Sequence, residues 1–185
     1  MDRGNLLALP SRAWEAEYLE DTSPRRLVLE YYDREHVSIR RYLIALGADV
    51  ETAREIVQET FLRLHEHVLA DGDRTNLRAW LFRVAHNLAR NAQQAFRSSR
   101  TEPLVDSVAA AEASAASSPE QDLLAEERLQ QLRQAMDQLT IAQRDCIVLR
   151  SEGLKYREIA QILDLSVSTV GENIQRGLET LKGKI

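Results

Sequence analysis

At 185 residues, 44% of them hydrophobic, the chain can form one ordinary domain or two small ones with real cores. A formal charge of -5 argues against a protein that coats nucleic acid by bulk charge, so nucleic-acid contacts need local basic patches. The single cysteine, Cys146, excludes an internal disulfide and a cysteine-based zinc site, and we expect a buried thiol. The sequence contains no apolar run of about 18 residues and no normal signal peptide, which predicts a cytoplasmic protein without membrane insertion.

Residues 1–22 form an N-terminal extension whose apolar residues have no regular spacing. Two helical patterns follow it. Ser23 and Pro24 form a helix start, and the first pattern runs through Val37 to Gly47. The second helix starts after Asp49. Its predicted buried stripe consists of Val57, Phe61, Leu64 and Val68, and its opposite face carries Glu55, Gln58, Glu59, Arg63 and Glu66.

The third helical pattern begins at Asn76, which can cap it, and has two faces of different chemistry. The inward face is apolar, with Leu77, Leu81, Val84 and Leu88. The other is a stripe of arginines and amides, namely Arg83, Asn87, Arg90, Gln94 and Arg97, in a segment without acidic residues. A solvated arginine face is the simpler interpretation. The amides favour nucleic acid, because arginine neutralises phosphate while Asn and Gln can hydrogen-bond base edges.

The composition changes after Arg100. Residues 101–118 are rich in Ala, Ser and acidic side chains and predict a flexible linker. A second helical unit starts at Ser118 and Pro119, and Thr140 with Gln143 forms a capping box for its next helix. The chain therefore predicts an all-α protein with two small helical domains joined by a flexible linker.

The C-terminal unit contains a helix-turn-helix pattern. A short helix with Ile159, Ala160 and Leu163 on its inward face is followed by a tight break and a helix that Ser166 can cap. The inward positions of this last helix are predicted to be Val167, Val170, Ile174, Leu178 and Leu181. This pattern favours a DNA-reading unit, with a plain αα-hairpin as the alternative.

Catalytic chemistry has little support in the sequence. His65 and His67 point to different faces of one helix and make a poor metal site. There is no phosphate loop, nucleophile elbow or Cys-His pairing. We therefore expect neither an enzyme nor a cofactor or metal site.

Taken together, three stretches of the chain resemble a bacterial RNA polymerase sigma factor of the extracytoplasmic-function (ECF) type, in the sigma-70 family. They are AREIVQETFLRL, LRAWLFRVAHNLARN and, after the linker, LRQAMDQLTIAQRDCIVLRSEGLKYREIAQILDLSVSTV, in a resemblance that covers roughly residues 25–185. The resemblance implies a region 2-like domain at 23–100 for core polymerase and the promoter -10 element, a linker at 101–118, and a region 4-like domain at 119–185 for the -35 element.

The resemblance also implies partners and site residues. The implied partner is core RNA polymerase, through its β′ clamp helices and β, and the face of Glu55, Gln58, Glu59 and Arg63 resembles the surface that meets the clamp. The -10 element would meet Arg83, Asn87, Arg90, Asn91, Gln94 and Arg97, where a flipped base needs a snug pocket. The -35 element would meet Lys155, Arg157, Ser168, Thr169, Glu172, Asn173 and Arg176. An anti-sigma factor is a further candidate partner.

The recognition helix departs from the family pattern. Members commonly carry Lys or Arg directly after the Thr-Val pair and again two residues later, where this chain has Gly171 and Asn173 with Glu172 between them. Fewer phosphate contacts predict weaker binding, and Gly171 and Gly177 each cost about 1 kcal/mol of helix propensity relative to Ala. We expect an altered -35 preference or a greater dependence on holoenzyme.

Two other classes of protein remain as alternatives. A stand-alone helix-turn-helix regulator would bind operators as a dimer but would leave the acidic helix face and the linker without a purpose. A sigma-like adaptor without DNA reading by its C-terminal domain would explain the weakened recognition helix. Binding to core polymerase and transcription with that core separate the three.

Overall fold

A computed structural model describes residues 23–99, 130–131 and 134–182, with only the backbone at 96–99. Every regular element in these ranges is helical, which confirms the predicted all-α class. Six helices have their bounds within the described residues, namely α1 (Pro24–Ala45), α2 (Val50–Leu69), α3 (Leu77–Ser99), α4 (Ile141–Ser151), α5 (Tyr156–Leu163) and α6 (Val167–Lys182). Residues 130–131 and 134–137 are helical as well. The predicted extension (1–22), linker (101–118) and helix start at Ser118-Pro119 lie outside the described residues, as does the side chain of Arg97.

The helix starts follow the capping signals of the sequence. The backbone N–H three residues later donates a hydrogen bond of 2.9–3.3 Å to the side chain of each predicted N-cap, namely Ser23, Asp49, Asn76, Thr140 and Ser166. These bonds satisfy N–H groups that have no partner inside the first helical turn. The bond to Asp49 also lowers the pKa of its carboxyl group, because the ionised form accepts from Thr52.

Two helices end at glycines in the left-handed backbone region. Gly47 after α1 has φ 94° and Gly153 after α4 has φ 86°. Residues with a Cβ adopt such backbone angles only with strain. Asp164 ends α5 in the same region with φ 55°, a conformation that Asp tolerates better than most residues. This residue sets the sharp break of the helix-turn-helix.

Helices α1, α2 and α3 pack into a bundle around the stripe predicted on α2. Val57, Phe61, Leu64 and Val68 are all buried, as the spacing predicts. On α1 the buried side chains are Glu35, Ile39, Tyr42 and Leu43, whereas Val37 is exposed. Val37 was predicted to belong to the apolar pattern of α1, but it does not face the core.

The predicted apolar stripe of α6 is partly wrong. Val170 and Ile174 are buried, but Val167 and Leu178 are exposed. Helix α6 approaches α4 closely at the buried Gly177, where a Cβ would lie 2.5 Å from Cδ1 of Ile147. Because the two helices approach so closely there, only a narrow strip of α6 is covered.

The N-terminal and C-terminal helices share one core. Helix α5 packs against α3 and α4 packs against α1. Tyr42 and Phe82 of the N-terminal helices belong to the same fully buried cluster as Leu149, Leu154 and Ile159 of the C-terminal part. The sequence predicted two helical units but not this packing, in which α3 contacts α1, α2 and α5.

Candidate functional site

The candidate polymerase-binding face lies on α2. Glu55, Gln58 and Arg63 are exposed and Glu59 is half-buried. Nε of Arg63 donates to Oε1 of Glu59 at 2.8 Å, so the one basic group of the face is paired with its central acid. The buried side chains on the opposite side of α2 hold this face rigidly towards solvent. It can offer carboxylates and an amide to a basic or mixed partner surface.

An apolar side chain in this face was not predicted. Leu62 follows Gln58 by one helical turn and is 54% exposed, and Leu69 extends the same stripe at 60% exposure. The helical spacing of the sequence could have identified Leu62, because residue 62 lies on the same helix face as Glu55, Gln58 and Glu59. A large apolar side chain surrounded by charged ones is typical of a protein interface centre.

The arginine and amide stripe of α3 is exposed throughout its described part. Arg83, Asn87, Arg90, Asn91 and Gln94 all face solvent. The other side of the helix is buried through Phe82, Ala85 and Ala89. The structure therefore brings cations and amides together on one accessible surface, where they can contact phosphates and base edges.

A buried polar pair holds α3 against α1 beneath this stripe. Oη of Tyr42 and Nδ1 of His86 are 2.7 Å apart and both side chains are buried. Burial, with a smaller effect of the Arg90 charge, lowers the pKa of His86 to about 4, so the ring is neutral at pH 7. Burial also raises the pKa of Tyr42 well above its ordinary value. The 44-residue separation gives no local signal for the pair.

The side chains of the recognition helix are largely bonded within the helix. Asn173 donates through Nδ2 to the carbonyl oxygen of Thr169 at 2.9 Å, and both residues are half-buried. Glu172, Arg176 and Ser168 are exposed, but Nη2 of Arg176 is paired with Oε2 of Glu172 at 3.3 Å. The predicted reading end is therefore accessible, although its amide and its cation both have partners in the free chain.

The start of α5 adds an aromatic residue that was not among the predicted contacts. Lys155 and Arg157 are exposed, as expected, and Tyr156 between them is 39% exposed. The guanidinium of Arg150 lies 5.6 Å from the centre of the Tyr156 ring and donates to the carbonyl of Leu154 at 3.0 Å. The Tyr156 ring is thus partly exposed and lies against the Arg150 guanidinium.

Gly171 lies beside the same tyrosine. A Cβ built at Gly171 would meet only Cε2 of Tyr156, at 3.8 Å, which is ordinary contact. The packing therefore does not require glycine at 171, unlike at 177, where a Cβ would collide with Ile147. Gly171 leaves the tyrosine ring open towards the reading end of α6.

The described residues contain neither a metal-binding cluster nor a membrane-spanning helix. In the ranges 23–99 and 134–182, no three His, Cys, Asp or Glu side chains are close enough to hold a metal ion. His67 instead stacks on Trp80 with ring centres 4.6 Å apart. None of the helices α1–α6 combines the length and the hydropathy that crossing a membrane requires.

Two family models match the chain. The model described as "Sigma-70 region 2" matches residues 31–101, and the model described as "Sigma-70, region 4" matches residues 129–181. The first match contains the α2 face and the α3 stripe. The second contains the helix-turn-helix.

Similar full-length proteins carry corresponding names. The chain is 30% identical over 145 residues to the ECF RNA polymerase sigma factor EcfG of Rhodopseudomonas palustris, covering 78% of this chain and 77% of that one. It is 31% identical over 166 residues to the ECF RNA polymerase sigma-E factor of Salmonella typhimurium, covering 86% and 84%. The fold is similar to that of the sigma factor RpoE of Bartonella quintana, solved with the anti-sigma factor NepR, at TM-score 0.65 and 23% identity over 83% of this chain and 93% of that one.

Proposed function

The chain belongs to the ECF group of the sigma-70 family and directs promoter-specific initiation of transcription, and we propose how its parts divide this work. Residues 23–100 bind core RNA polymerase and the -10 element, and residues 119–185 bind the -35 element. Residues 101–118 connect them through the polymerase. The matched ranges 31–101 and 129–181 support these boundaries.

The α2 face is the proposed contact with the β′ clamp helices. Glu55, Gln58, Glu59 and Arg63 supply polar contacts, and the exposed Leu62 supplies an apolar one at the centre. Charged groups around an apolar anchor give orientation and association rate, while the anchor contributes most of the affinity.

The α3 stripe is the proposed -10 contact, and its exposure above a buried Tyr42–His86 pair is the observation that supports the proposal most strongly. Melting a promoter requires a base to leave the stack, which costs a few kcal/mol. A rigid helix that presents Asn87 and Asn91 between arginines can hydrogen-bond an unstacked base and hold the adjacent phosphates. Arg97 continues the stripe by its spacing.

The proposed -35 contact combines α6 with the start of α5. Ser168, Thr169, Glu172, Asn173 and Arg176 are the candidates for base reading, and Lys155, Tyr156 and Arg157 are candidates for phosphate contacts. The ion pair of Arg176 with Glu172 and the hydrogen bond from Asn173 to the carbonyl oxygen of Thr169 support weak reading by the free chain. DNA binding by this domain then depends on core polymerase holding it in place.

The family membership supports two further assignments. We place the protein in the cytoplasm, where core polymerase and promoter DNA are. We also assign it an anti-sigma factor as a protein partner, since RpoE of Bartonella quintana was solved with one. This partner would regulate access to polymerase rather than contribute to promoter reading.

The test is reconstitution with core polymerase. The purified full chain is added to core, and binding and transcription from genomic promoter fragments are measured. Core binding with initiation at defined start sites supports the function, and failure of both contradicts it. Promoters altered at -35 then test the C-terminal domain, because initiation that ignores -35 changes but responds to -10 changes indicates an adaptor role for that domain.

A further inference from the structure

The amide group of Asn173 has a fixed orientation on the recognition helix. Its Nδ2 lies 2.9 Å from the carbonyl oxygen of Thr169, one turn earlier on α6. A carbonyl oxygen only accepts hydrogen bonds, so the amide must turn its NH2 group, and not its oxygen, towards Thr169. The opposite orientation would place two acceptors against each other. This contact therefore decides which groups of the amide remain for a ligand.

The residue that holds the amide is itself held at the start of the helix. The backbone N–H of Thr169 donates to Oγ of Ser166, the N-cap, at 3.1 Å. The hydroxyl groups of these two residues are 2.7 Å apart, and Oγ of Ser166 also lies 2.8 Å from Oγ of Ser168. Hydrogen bonds thus run from the N-cap through Thr169 to Asn173. They lie in the N-terminal half of α6, the half that contacts base edges when a recognition helix enters the major groove.

Two hydrogen-bonding groups of the Asn173 amide remain available. Nδ2 carries two N–H groups and uses one of them for Thr169. Oδ1 has no hydrogen-bond partner among residues 23–99 and 134–182, and it is not enclosed, because Asn173 is only half-buried. The side chain therefore presents one acceptor and one donor side by side.

Adenine is the base whose major-groove edge matches this pair of groups. Its N6 amino group donates to Oδ1 and its N7 accepts from Nδ2, so both remaining groups are satisfied. Guanine presents two acceptors, N7 and O6, and O6 would face Oδ1. Cytosine presents a donor, and thymine presents an acceptor and a methyl group, so each satisfies only one of the two groups. A polar group left without a partner in the interface lowers the affinity.

A cation at residue 173 would have the opposite preference. Arg and Lys carry donors only, and they favour O6 and N7 of guanine. The neutral amide of Asn173 therefore changes which base is preferred, in addition to weakening the attraction to phosphate.

We propose that Asn173 binds one adenine of the -35 element through Oδ1 and Nδ2, and that Thr169 is the positioning residue that orients the amide. This inference rests on the proposed -35 role of residues 119–185 and adds the base that one position of the element contains. The bond to Thr169 removes one N–H from the contact and fixes the two groups that remain.

The orientation of the amide is measured in the free full-length chain. Side-chain amide signals of Asn173 in 15N–1H NMR spectra are assigned with Asn173→Ala. We expect one of the two protons to exchange with water about fivefold more slowly than the other, as for a hydrogen bond of ordinary strength. Asn91, exposed on α3, supplies the reference. If both protons of Asn173 exchange like those of Asn91, the fixed orientation is overturned, and this result depends on neither polymerase nor DNA.

The base preference is measured with holoenzyme formed from the full chain and core polymerase. Promoter DNA with each of the four base pairs at each position of the -35 element is compared by fluorescence anisotropy at fixed salt. One position is expected to favour adenine about fivefold to a hundredfold. Replacing that base by 7-deazaadenine removes N7 but keeps pairing with thymine, and it is expected to lower the affinity about fivefold.

Two variants of Asn173 and one control assign the preference to this residue. Asn173→Ala is expected to equalise the four bases at that position, to be insensitive to 7-deazaadenine and to keep the preferences at the other positions. Asn173→Arg is expected to move the preference to guanine, because its donors match O6 and N7. Gln175→Ala removes an amide from the same helix, where Gln175 is bonded to Glu179, and it is expected to keep the adenine preference.

The outcomes distinguish this inference from the sigma function. Holoenzyme that binds promoters without favouring adenine at any -35 position overturns the inference alone. An adenine preference that persists in Asn173→Ala, or that is lost equally in Gln175→Ala, also overturns it. A holoenzyme that binds no promoter contradicts the proposed function, and the adenine contact is then overturned with it.

Discussion

Arg176 and Glu172 form an ion pair one turn apart on α6, with Nη2 of the arginine 3.3 Å from Oε2 of the glutamate. Both side chains are more than 60% exposed, so the pair adds little to stability. The pair matters for DNA binding instead, because Glu172 partly neutralises Arg176, the candidate cation of the recognition helix. In the proposed -35 contact, Glu172 would also place a negative charge near the DNA phosphates.

Replacing this glutamate is expected to strengthen DNA binding. Glu172→Gln frees Arg176 and should raise the affinity of holoenzyme for -35 DNA about threefold to tenfold, measured by fluorescence anisotropy at fixed salt. Glu179→Gln is the matched control, since it removes the same charge from the same helix where Glu179 is bonded to Gln175. An equal gain in both variants would show that net charge, and not Arg176, is responsible.

A lysine at Gly171 is expected to restore a phosphate contact. The site has room, since a Cβ there meets only Tyr156 at 3.8 Å. Gly171→Lys should steepen the dependence of log affinity on log salt by about one unit. Gly171→Ala is the control, because it supplies the helix propensity, about 1 kcal/mol, without the charge. If both variants show the same salt slope, residue 171 does not face the DNA backbone.

Removing the amide of Asn87 is expected to impair melting without affecting polymerase binding. Asn87→Ala should reduce promoter opening about fivefold to a hundredfold, because a lost base contact costs about 1–3 kcal/mol. Opening is followed with a fluorescent base analogue at -10, and core binding by competition. Gln58→Ala should show the reverse pattern. Equal loss of core binding in the Asn87 variant would remove this residue from the -10 contact.

Leu62 is expected to be an energetic centre of the polymerase contact. Leu62→Ala should weaken binding to core about tenfold, because a buried apolar anchor contributes more than the charges around it. Leu29→Ala on α1 is the control, since Leu29 is exposed to nearly the same extent, 53% against 54%. Folding should be unaffected in both. Equal affinities of the two variants would contradict an anchor at Leu62.

Local signals in the sequence account for the parts of the fold that were predicted correctly. An N-cap needs only a side chain and an N–H three residues later, so Ser23, Thr140 and Ser166 could be identified directly. The stripe on α2 repeats every three to four residues and is equally local. The exposure of the α3 stripe follows from the same periodicity.

Contacts between distant residues explain what the sequence could not predict. Tyr42 and His86 are 44 positions apart, and Arg41 and Glu152 are 111 apart, so neither pair leaves a pattern in any short window. On α6 the error at Leu178 arose because the close approach at Gly177 narrows the covered strip, which periodicity does not show. The roles of the site residues in binding stay predictions.

The last prediction concerns Asp145 and the pH dependence of stability. Burial raises the pKa of its carboxyl group in the folded chain from 3.8 to about 6. The folded state therefore binds this proton more tightly than the unfolded state. The resulting loss of folding stability is absent below about pH 4, grows as the pH rises through 6 and is complete above 7, where it amounts to about 3 kcal/mol.

Asp145→Asn should thus raise the free energy of unfolding in urea by up to this amount at pH 7.5 and by much less at pH 4.5. His86, whose pKa is lowered, acts in the opposite sense on acidification, but it is present in both proteins and cancels in their difference. Glu51→Gln, at an exposed carboxylate paired with Arg54 within α2, is the control for removing one negative charge. An Asp145→Asn effect that is the same at both pH values would mean that the carboxyl group is not buried in the folded chain.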